Sequence, residues 1–367
     1  MPLDFLLRWL TGLLAIAFLG GGIYILHEWY ERDLLDRAWL IAGWATIVWS
    51  GVGFLPLSLL RRWGRDEPKM QRSREIQRLS RPDGSEIQVE FYGSPDAPPL
   101  ILTHGWGPNS TVWYYAKKQL ANHFRVIVWD LPGLGKSTKP HNKDYSTEKY
   151  ARDLEAVLSL VGNQPAILLG HSMGGMILLT FCRLFPESLG NRVAGLVLVD
   201  TTYTNPLKTA ILSQILMPLQ KPLIEPLLYV TILLSPIAWL MSGLSYLNGS
   251  MYVTTELSGF TGRETRGQLD FSTRLALLAS PGVLARGMLA MLRFDETQTL
   301  PKIPIPVQVI AGKSDIATRL WAHHHLSHDI PNSELVVLHP AGHMGLMERN
   351  AQFAEAVRAF SVSLEKA

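Results

Sequence analysis

The chain has 367 residues, of which 47% are hydrophobic and 18% charged, and its formal net charge is +3. A single cysteine, Cys182, excludes an intrachain disulfide and is expected to pack in the core. The basic excess lies largely in one stretch after residue 60. No basic stripe with interleaved aromatics occurs elsewhere, which argues against a nucleic-acid partner.

Two apolar runs, at residues 9–26 and 38–60, open the chain. Because a bilayer core takes about 20 apolar residues to cross, helices at about 5–26 and 38–60 are expected to form a transmembrane hairpin. The second run meets this length comfortably, whereas three glycines at 20–22 weaken the first. A cleaved signal peptide is the alternative for the first run, because residues 15–17 read Ala-Ile-Ala.

Charges on the two sides of the second run predict its orientation. The turn before it holds two arginines and four acidic residues, Glu28, Glu31, Asp33 and Asp36. Six basic residues follow it: Arg61, Arg62, Arg65, Lys69, Arg72 and Arg74. Basic flanks stay on the cytoplasmic side of a membrane. The domain that follows is therefore expected at the cytoplasmic face, with the basic cluster against anionic headgroups, whether or not the first run is removed.

A sharp turn near the middle of the chain holds a candidate nucleophile. Gly170-His171-Ser172-Met173-Gly174 joins an apolar strand to a helix that begins at Met173. A strand-to-helix turn of this kind leaves the serine side chain exposed on strained backbone, and glycines keep neighbouring Cβ atoms away. Since such strain is tolerated where it aims a reactive group, Ser172 is the candidate nucleophile.

An insertion of about a hundred residues, 203–300, fits no alternating strand–helix unit. It is expected to form helices broken by prolines at 206, 218, 222, 226, 236 and 281. Residues 227–247 carry no charge, yet a third transmembrane span there is rejected, because one crossing would separate the two halves of the domain. The insertion either touches the bilayer with its apolar face or packs that face internally.

The chain beyond the insertion supplies an acid and a base. A strand at 307–312 leads into Asp315, and a strand at 335–338 leads into His343, shortly before a final helix at 352–364. Open α/β sheets gather their sites at the carboxyl ends of such strands. A serine needs a base to accept its proton, and the base needs a carboxylate to orient it. His343 is the candidate base and Asp315 its acid, with Asp200, which follows a strand at 196–199, as the alternative acid.

Four loops in this order resemble those of the α/β-hydrolase superfamily: His104-Gly105-Trp106-Gly107, residues 130–137, the turn around Ser172 and the Gly-His pair at His343. The resemblance implies a mostly parallel α/β-hydrolase sheet with helices on both faces and a helical cap, preceded here by the transmembrane hairpin. The expected domains are an anchor (1–65), the first part of the core (72–202), the cap (203–300) and the second part of the core (301–367).

The resemblance also implies roles for individual residues. The superfamily's order of serine, acid and histidine favours Asp315 over Asp200. The backbone amides of Trp106 and Met173 are expected to form the oxyanion hole, and loop 130–137 to be a structural turn. Dehalogenase and epoxide-hydrolase relatives use a carboxylate nucleophile, so their chemistry is not expected with serine at this position.

The expected activity is that of a membrane-anchored serine hydrolase acting on a lipophilic carboxylic ester, such as a mono- or diacylglycerol or a lysophospholipid. No cofactor is expected. The run His323-His324-His325 does not predict a metal site, since consecutive helical side chains diverge, and it is expected at the surface. The same triad could instead cleave an amide, a thioester or a C–C bond or catalyse cofactor-free peroxidation. A hydrolase-fold binding or receptor protein with little turnover is the other alternative, and the oligomeric state is undetermined.

Overall fold

The computed structural model describes residues 2–32, 36–162 and 164–364. Asp33, one of the acids used to predict orientation, lies outside the described residues. Three helices open the chain: α1 (Pro2–Glu31), α2 (Arg37–Val52) and α3 (Phe54–Leu59). α1 and α2 pack antiparallel, and their backbones approach closely where a Cβ added to Gly22 would lie 2.8 Å from the Gly43 carbonyl oxygen.

The second apolar run does not form the single helix predicted for 38–60. Its helix ends at Val52, and Gly53 separates it from α3. Pro56 explains the break, because it has no N–H to donate to the carbonyl of Val52, one turn earlier. The relative strength of the two runs was also predicted wrongly. Among the described helices, α1, over Asp4–Glu31, is the one long and apolar enough by itself to cross a membrane.

The core is an eight-stranded sheet with the order β1-β2-β4-β3-β5-β6-β7-β8. Its strands are β1 (Ile76–Ser80), β2 (Glu86–Tyr92), β3 (Pro99–Thr103), β4 (Arg125–Trp129), β5 (Ala166–His171), β6 (Val193–Val199), β7 (Val307–Gly312) and β8 (Ser333–Leu338). β2 runs antiparallel to both of its neighbours, β1 and β4. From β4 onward, across β3, β5, β6, β7 and β8, each strand is parallel to the next in the sheet. The predicted mostly parallel sheet is therefore confirmed. The central strands β3, β5 and β7 are buried along their whole length, as expected for a sheet covered on both faces.

Helices cover both faces of the sheet. α4 (Tyr114–Leu120), α5 (Thr147–Leu158) and α6 (Met173–Leu184) follow strands of the first half. Successive strand side chains point to opposite faces, so Ile101 joins one buried cluster while Leu100 and Leu102 join the other. α5 and α6 pack in the first cluster and α4 in the second.

The insertion after β6 consists of helices: α7 (Pro206–Thr209), α8 (Ser213–Leu219), α9 (Glu225–Leu233), α10 (Ser235–Leu247), α11 (Ser250–Gly259), α12 (Arg266–Leu278) and α13 (Pro281–Met291). Prolines occupy the first turn of α7, α9, α10 and α13, where their missing N–H is tolerated. The segment Ser213–Leu233 meets α10 at an angle of 101°. α10 packs along α1, so the insertion and the first helix share one interface.

The last part of the chain completes the domain with α14 (Leu320–Asp329), α15 (Gly345–Glu348) and α16 (Asn350–Leu364). α14 packs against β7 and β8 on the face that holds α6, and α16 packs against α4 on the opposite face. The loops that follow β3, β5, β6, β7 and β8 therefore meet along one edge of the sheet.

Candidate active site

Ser172 lies in a sharp turn between β5 and α6. Its backbone has φ 54° and ψ −120°, a conformation that L-residues rarely adopt. Close packing holds the turn in place: a Cβ on Gly170 would lie 2.5 Å from the Gly174 carbonyl, and one on Gly174 would lie 2.2 Å from the carbonyl oxygen of Thr103. Strain of this kind typically costs about 1–3 kcal/mol and persists only where the surroundings enforce it.

Two further candidate residues reach Ser172 from the second half of the chain. His343, on the loop between β8 and α15, places Nε2 3.0 Å from the Ser172 hydroxyl oxygen. Its Nδ1 lies 2.8 Å from Oδ2 of Asp315, which follows β7. The structure thus brings a hydroxyl, an imidazole and a carboxylate, from positions up to 171 residues apart, into one hydrogen-bonded chain.

Asp315 is held as a carboxylate by its neighbours. Oδ1 accepts the backbone N–H groups of Ala317 and Thr318, at 2.6 and 3.1 Å, and Oδ2 accepts the Thr318 hydroxyl at 2.7 Å. Burial alone would raise the pKa of Asp315, but the charge and hydrogen bond of His343, together with Thr318, outweigh burial and lower it. Asp315 can therefore stay ionised and bind the Nδ1–H of His343.

Among the described residues Asp200, the alternative acid, makes no hydrogen bond to His343. One carboxylate oxygen accepts the N–H of Gly312 at 2.6 Å, and the other has no partner among the described residues. Complete burial, and then the negative charge of Asp315, raise the pKa of Asp200 well above its ordinary value. The pKa values of the two acids are thus shifted in opposite directions, that of Asp315 downward and that of Asp200 upward.

The predicted oxyanion donors flank the serine. Met173 is the first residue of α6, and Trp106 belongs to the loop after β3. Neither backbone amide donates a hydrogen bond within the described part of the chain, so both are available to a bound oxygen. The Trp106 side chain is fixed separately, since its Nε1–H donates to the carbonyl of Leu284 on α13 at 2.8 Å.

Three other histidines support the site. His171 donates from Nε2 to the carbonyl of His343 at 2.9 Å, and burial, followed by the nearby His343, lowers its pKa to about 3, so it stays neutral. His104 accepts the N–H of Leu131 and so joins two loops, at 3.0 Å. His323 was predicted at the surface, but it is fully buried on α14 and accepts the N–H of Thr201 at 3.1 Å, and burial lowers its pKa to about 4.

Glu348 is a residue whose contribution the sequence did not reveal. It is buried on α15, and its Oε2 accepts the N–H of Gly342, immediately before His343, at 2.6 Å. Oε1 accepts both the N–H and the hydroxyl of Thr261, between α11 and α12. One carboxylate therefore joins the histidine loop to the insertion. Its position five residues after His343 was visible, but no local pattern indicated the two contacts.

A cavity of about 370 Å³ opens onto Ser172 and His343. Its lining is mostly apolar and comes largely from the insertion, including Met288 and Leu284 of α13 and Leu275 of α12. α1 also reaches it through Asp4, Leu7 and Arg8, which the sequence did not predict. Within the described ranges, no group of three or more histidine, cysteine, aspartate or glutamate side chains could hold a metal ion.

Comparisons with known proteins agree with this architecture. The family model described as alpha/beta hydrolase fold matches residues 98–225. An uncharacterized protein of Mycobacterium tuberculosis is 27% identical over 288 residues, covering 76% of this chain and 79% of that protein. The pimeloyl-[acyl-carrier protein] methyl ester esterase of Aeromonas salmonicida is 39% identical over 103 residues, which are 28% of this chain and 38% of the esterase.

A solved structure extends the likeness to the N-terminal helices. A bacterial membrane phospholipase A superposes with a TM-score of 0.63 at 20% identity, covering 96% of this chain and 99% of that one. At this identity the match is evidence for the fold. Together with the sheet order, these comparisons show that the chain has the α/β-hydrolase fold.

Proposed function

We propose that this protein is a membrane-anchored serine hydrolase that cleaves a lipophilic carboxylic ester. The observation that carries the proposal is the hydrogen-bonded chain Ser172–His343–Asp315, with contacts of 3.0 and 2.8 Å, whose serine and histidine line a mostly apolar cavity. Serine, imidazole and carboxylate in this order make the arrangement that activates a hydroxyl for acyl transfer.

In the proposed mechanism each residue has one step. The Ser172 oxygen attacks the ester carbonyl while His343 Nε2 takes its proton, and His343 then returns that proton to the leaving alcohol. Asp315 holds Nδ1–H and stabilises the imidazolium that forms in between. The amides of Trp106 and Met173 bind the oxyanion, each contributing about 3–4 kcal/mol. A water deprotonated by His343 then releases the acyl group and restores the serine.

The cavity supports a lipophilic substrate. Its lining is dominated by apolar side chains, which favour a hydrocarbon chain because apolar surface removed from water gains about 25 cal/mol per Å². The partial relative from Aeromonas salmonicida is named an esterase, which favours esters over amides within the same chemistry. Monoacylglycerols, diacylglycerols and lysophospholipids combine an ester with such a chain.

Membrane anchoring is supported by α1 and by the insertion. α1 has the length and composition of a membrane-spanning helix. Apolar side chains on α9 and α10 are exposed rather than packed internally, among them Tyr229, Leu233, Trp239 and Leu240. Burying such a surface in the bilayer boundary would remove it from water. The matched membrane phospholipase A, whose likeness includes the N-terminal helices, is consistent with this placement.

The domain is proposed to lie on the cytoplasmic side. Of the six basic residues after the second apolar run, Arg61 pairs with Glu256 and Arg72 with Glu90 and Asp130, so these two act within the protein. The other four, Arg62, Arg65, Lys69 and Arg74, are exposed and are proposed to contact anionic headgroups. A protease added outside intact cells should leave the domain whole. Digestion of the domain would contradict this side.

A fluorophosphonate probe tests the chemistry. It should label the wild type at one residue, Ser172, and purified protein should hydrolyse p-nitrophenyl esters. Ser172→Ala should lose both labelling and turnover, whereas Ser94→Ala, at an exposed serine, should keep both. Unlabelled but folded wild-type protein would contradict the proposal. Comparing the lipids of cells that carry wild type or Ser172→Ala would then identify the natural ester.

A further inference from the structure

The first turns of α1 lie against the reacting groups. Asp4, Leu7 and Arg8 line the same cavity as Ser172 and His343. Phe5, between them, is only 3% exposed. A helix that served only to hold the protein at a membrane would need no such contact. We propose that residues 4–8 form a specificity-determining part of the active site, an inference that rests on the proposed function.

Hydrogen bonds from α1 to the insertion fix this segment in place. Arg8 donates to Asp4 at 2.7 Å and to the carbonyl of Ala276 on α12 at 3.1 Å. At the next residue, Trp9 donates from Nε1 to the Thr231 hydroxyl of α9 at 3.2 Å. Thr11 donates to Ser245 of α10 at 2.8 Å, and its carbonyl accepts from Asn248 at 2.9 Å. These contacts reach three different helices, so residues 4–8 hold one position relative to the cavity.

Phe5 links the segment to the proposed oxyanion loop. Its ring lies 5.5 Å from the indole of Trp106, at an interplanar angle of 57°. The same indole donates from Nε1 to the carbonyl of Leu284 on α13, and a Cβ added to Gly287 would lie 3.2 Å from it. Trp106 is therefore in contact with both α1 and α13. Phe5 acts as a positioning residue, through Trp106, rather than by touching the substrate.

The chemistry of the segment matches an amphiphile. Leu7 gives the cavity an apolar surface that is 39% exposed, so a bound acyl chain can cover it. The Asp4–Arg8 ion pair, with side chains 22% and 11% exposed, adds both hydrogen-bond acceptors and donors to an otherwise apolar lining. A long acyl chain beside Leu7 and a polar alcohol portion beside the ion pair would satisfy both.

Selectivity for chain length tests this inference in the full-length protein in detergent micelles. The probes are p-nitrophenyl laurate and p-nitrophenyl acetate, and the readout is the ratio of their kcat/KM values. Leu7→Trp should lower the laurate-to-acetate ratio by roughly tenfold or more, because the larger side chain occupies acyl-chain space. Leu7→Ala, which removes contact without adding bulk, should lower it by a few-fold. Leu10→Trp is the matched control on the same helix, 53% exposed and absent from the cavity lining, and should not change the ratio.

Phe5→Ala provides a second readout. It should lower kcat toward both esters alike, and slow fluorophosphonate labelling, because it loosens the oxyanion loop rather than the acyl site. Equal ratios for wild type, both Leu7 variants and Leu10→Trp would overturn the inference while leaving the proposed function intact. Wild-type protein that hydrolyses neither ester and resists the probe would instead contradict the proposed function itself.

Discussion

Replacing each of the two neighbouring acids by asparagine distinguishes their roles. In Asp315→Asn the amide oxygen can keep the contacts that Oδ1 makes with the N–H groups of Ala317 and Thr318. The amide NH2 then takes the place of Oδ2 and faces Nδ1 of His343. Nδ1 must become the acceptor, which moves the imidazole proton to Nε2. An Nε2–H cannot accept the proton of Ser172, so the base is lost although the shape of the site is kept.

The expected loss is large. The same substitution in a serine-protease triad lowers kcat by roughly 10⁴-fold, or about 5.5 kcal/mol of transition-state stabilisation. In Asp200→Asn, the amide resembles the protonated carboxyl and its oxygen can still accept from Gly312, so kcat should fall by less than about tenfold. Both values follow from p-nitrophenyl ester turnover at pH 7.5, with circular dichroism to verify folding. If Asp200→Asn abolishes turnover and Asp315→Asn does not, the assignment of the acid is wrong.

Four further predictions concern stability, the histidine loop, the serine turn and the membrane. Because the pKa of Asp200 is higher in the folded than in the unfolded protein, its carboxyl group contributes fully to stability below the unfolded pKa of about 4. That contribution is lost as pH rises through the folded pKa, so thermal melts should show Asp200→Asn gaining stability relative to wild type as pH increases above about 4. Glu348→Ala should lower kcat about tenfold and should lower the free energy of unfolding, measured by chemical denaturation, by about 2 kcal/mol. Glu348→Gln should partly restore both values, and an unchanged kcat in Glu348→Ala would show that Glu348 does not position the histidine loop. Gly174→Ala should destabilise the fold by about 3 kcal/mol, since its Cβ meets a backbone oxygen, whereas Gly243→Ala, with open space around it, should be neutral or stabilising. In liposomes, a nitroxide attached to Leu240→Cys should collide more often with oxygen than with a water-soluble nickel reagent, whereas a nitroxide on the exposed Lys302→Cys should collide more often with the nickel reagent. The same collision ratio at both positions would place α10 outside the bilayer.

The positions of Ser172, Asp315 and His343 could be predicted because each is set by local sequence. Each follows a strand by at most a few residues, and parallel strands present their carboxyl ends at one edge of the sheet. Once the strands are recognised, the meeting of three distant residues follows from topology. The distances of 3.0 and 2.8 Å depend on side-chain packing and come only from the structure.

The features that the sequence did not predict depend on contacts between distant segments. Residues 4–8 and Ser172 meet only because α1 packs on the insertion, and no spacing in the chain encodes that packing. His323 gave no sign of burial, because three consecutive histidines do not show which of them faces the sheet. The break after Val52 was different. Pro56 signals the break in the sequence through its missing N–H, although the hydropathy of the whole run favours one continuous helix.

The length of α1 connects the proposed membrane anchor to the site. Glu28, near the C-terminal end of α1, is charged and has to stay outside the hydrocarbon. A hydrocarbon core of about 30 Å takes about 20 helical residues at 1.5 Å per residue, so a span that starts at Glu28 reaches the other boundary near Arg8. Trp9 and Thr11, which bond to α9 and α10, would then lie within the bilayer, so these two helices must be immersed by several Å. Asp4, Leu7 and Arg8, which line the cavity, would then lie at the boundary between hydrocarbon and headgroups. The proposed amphiphilic ester would rest at that same boundary and would reach Ser172 without taking its acyl chain through water.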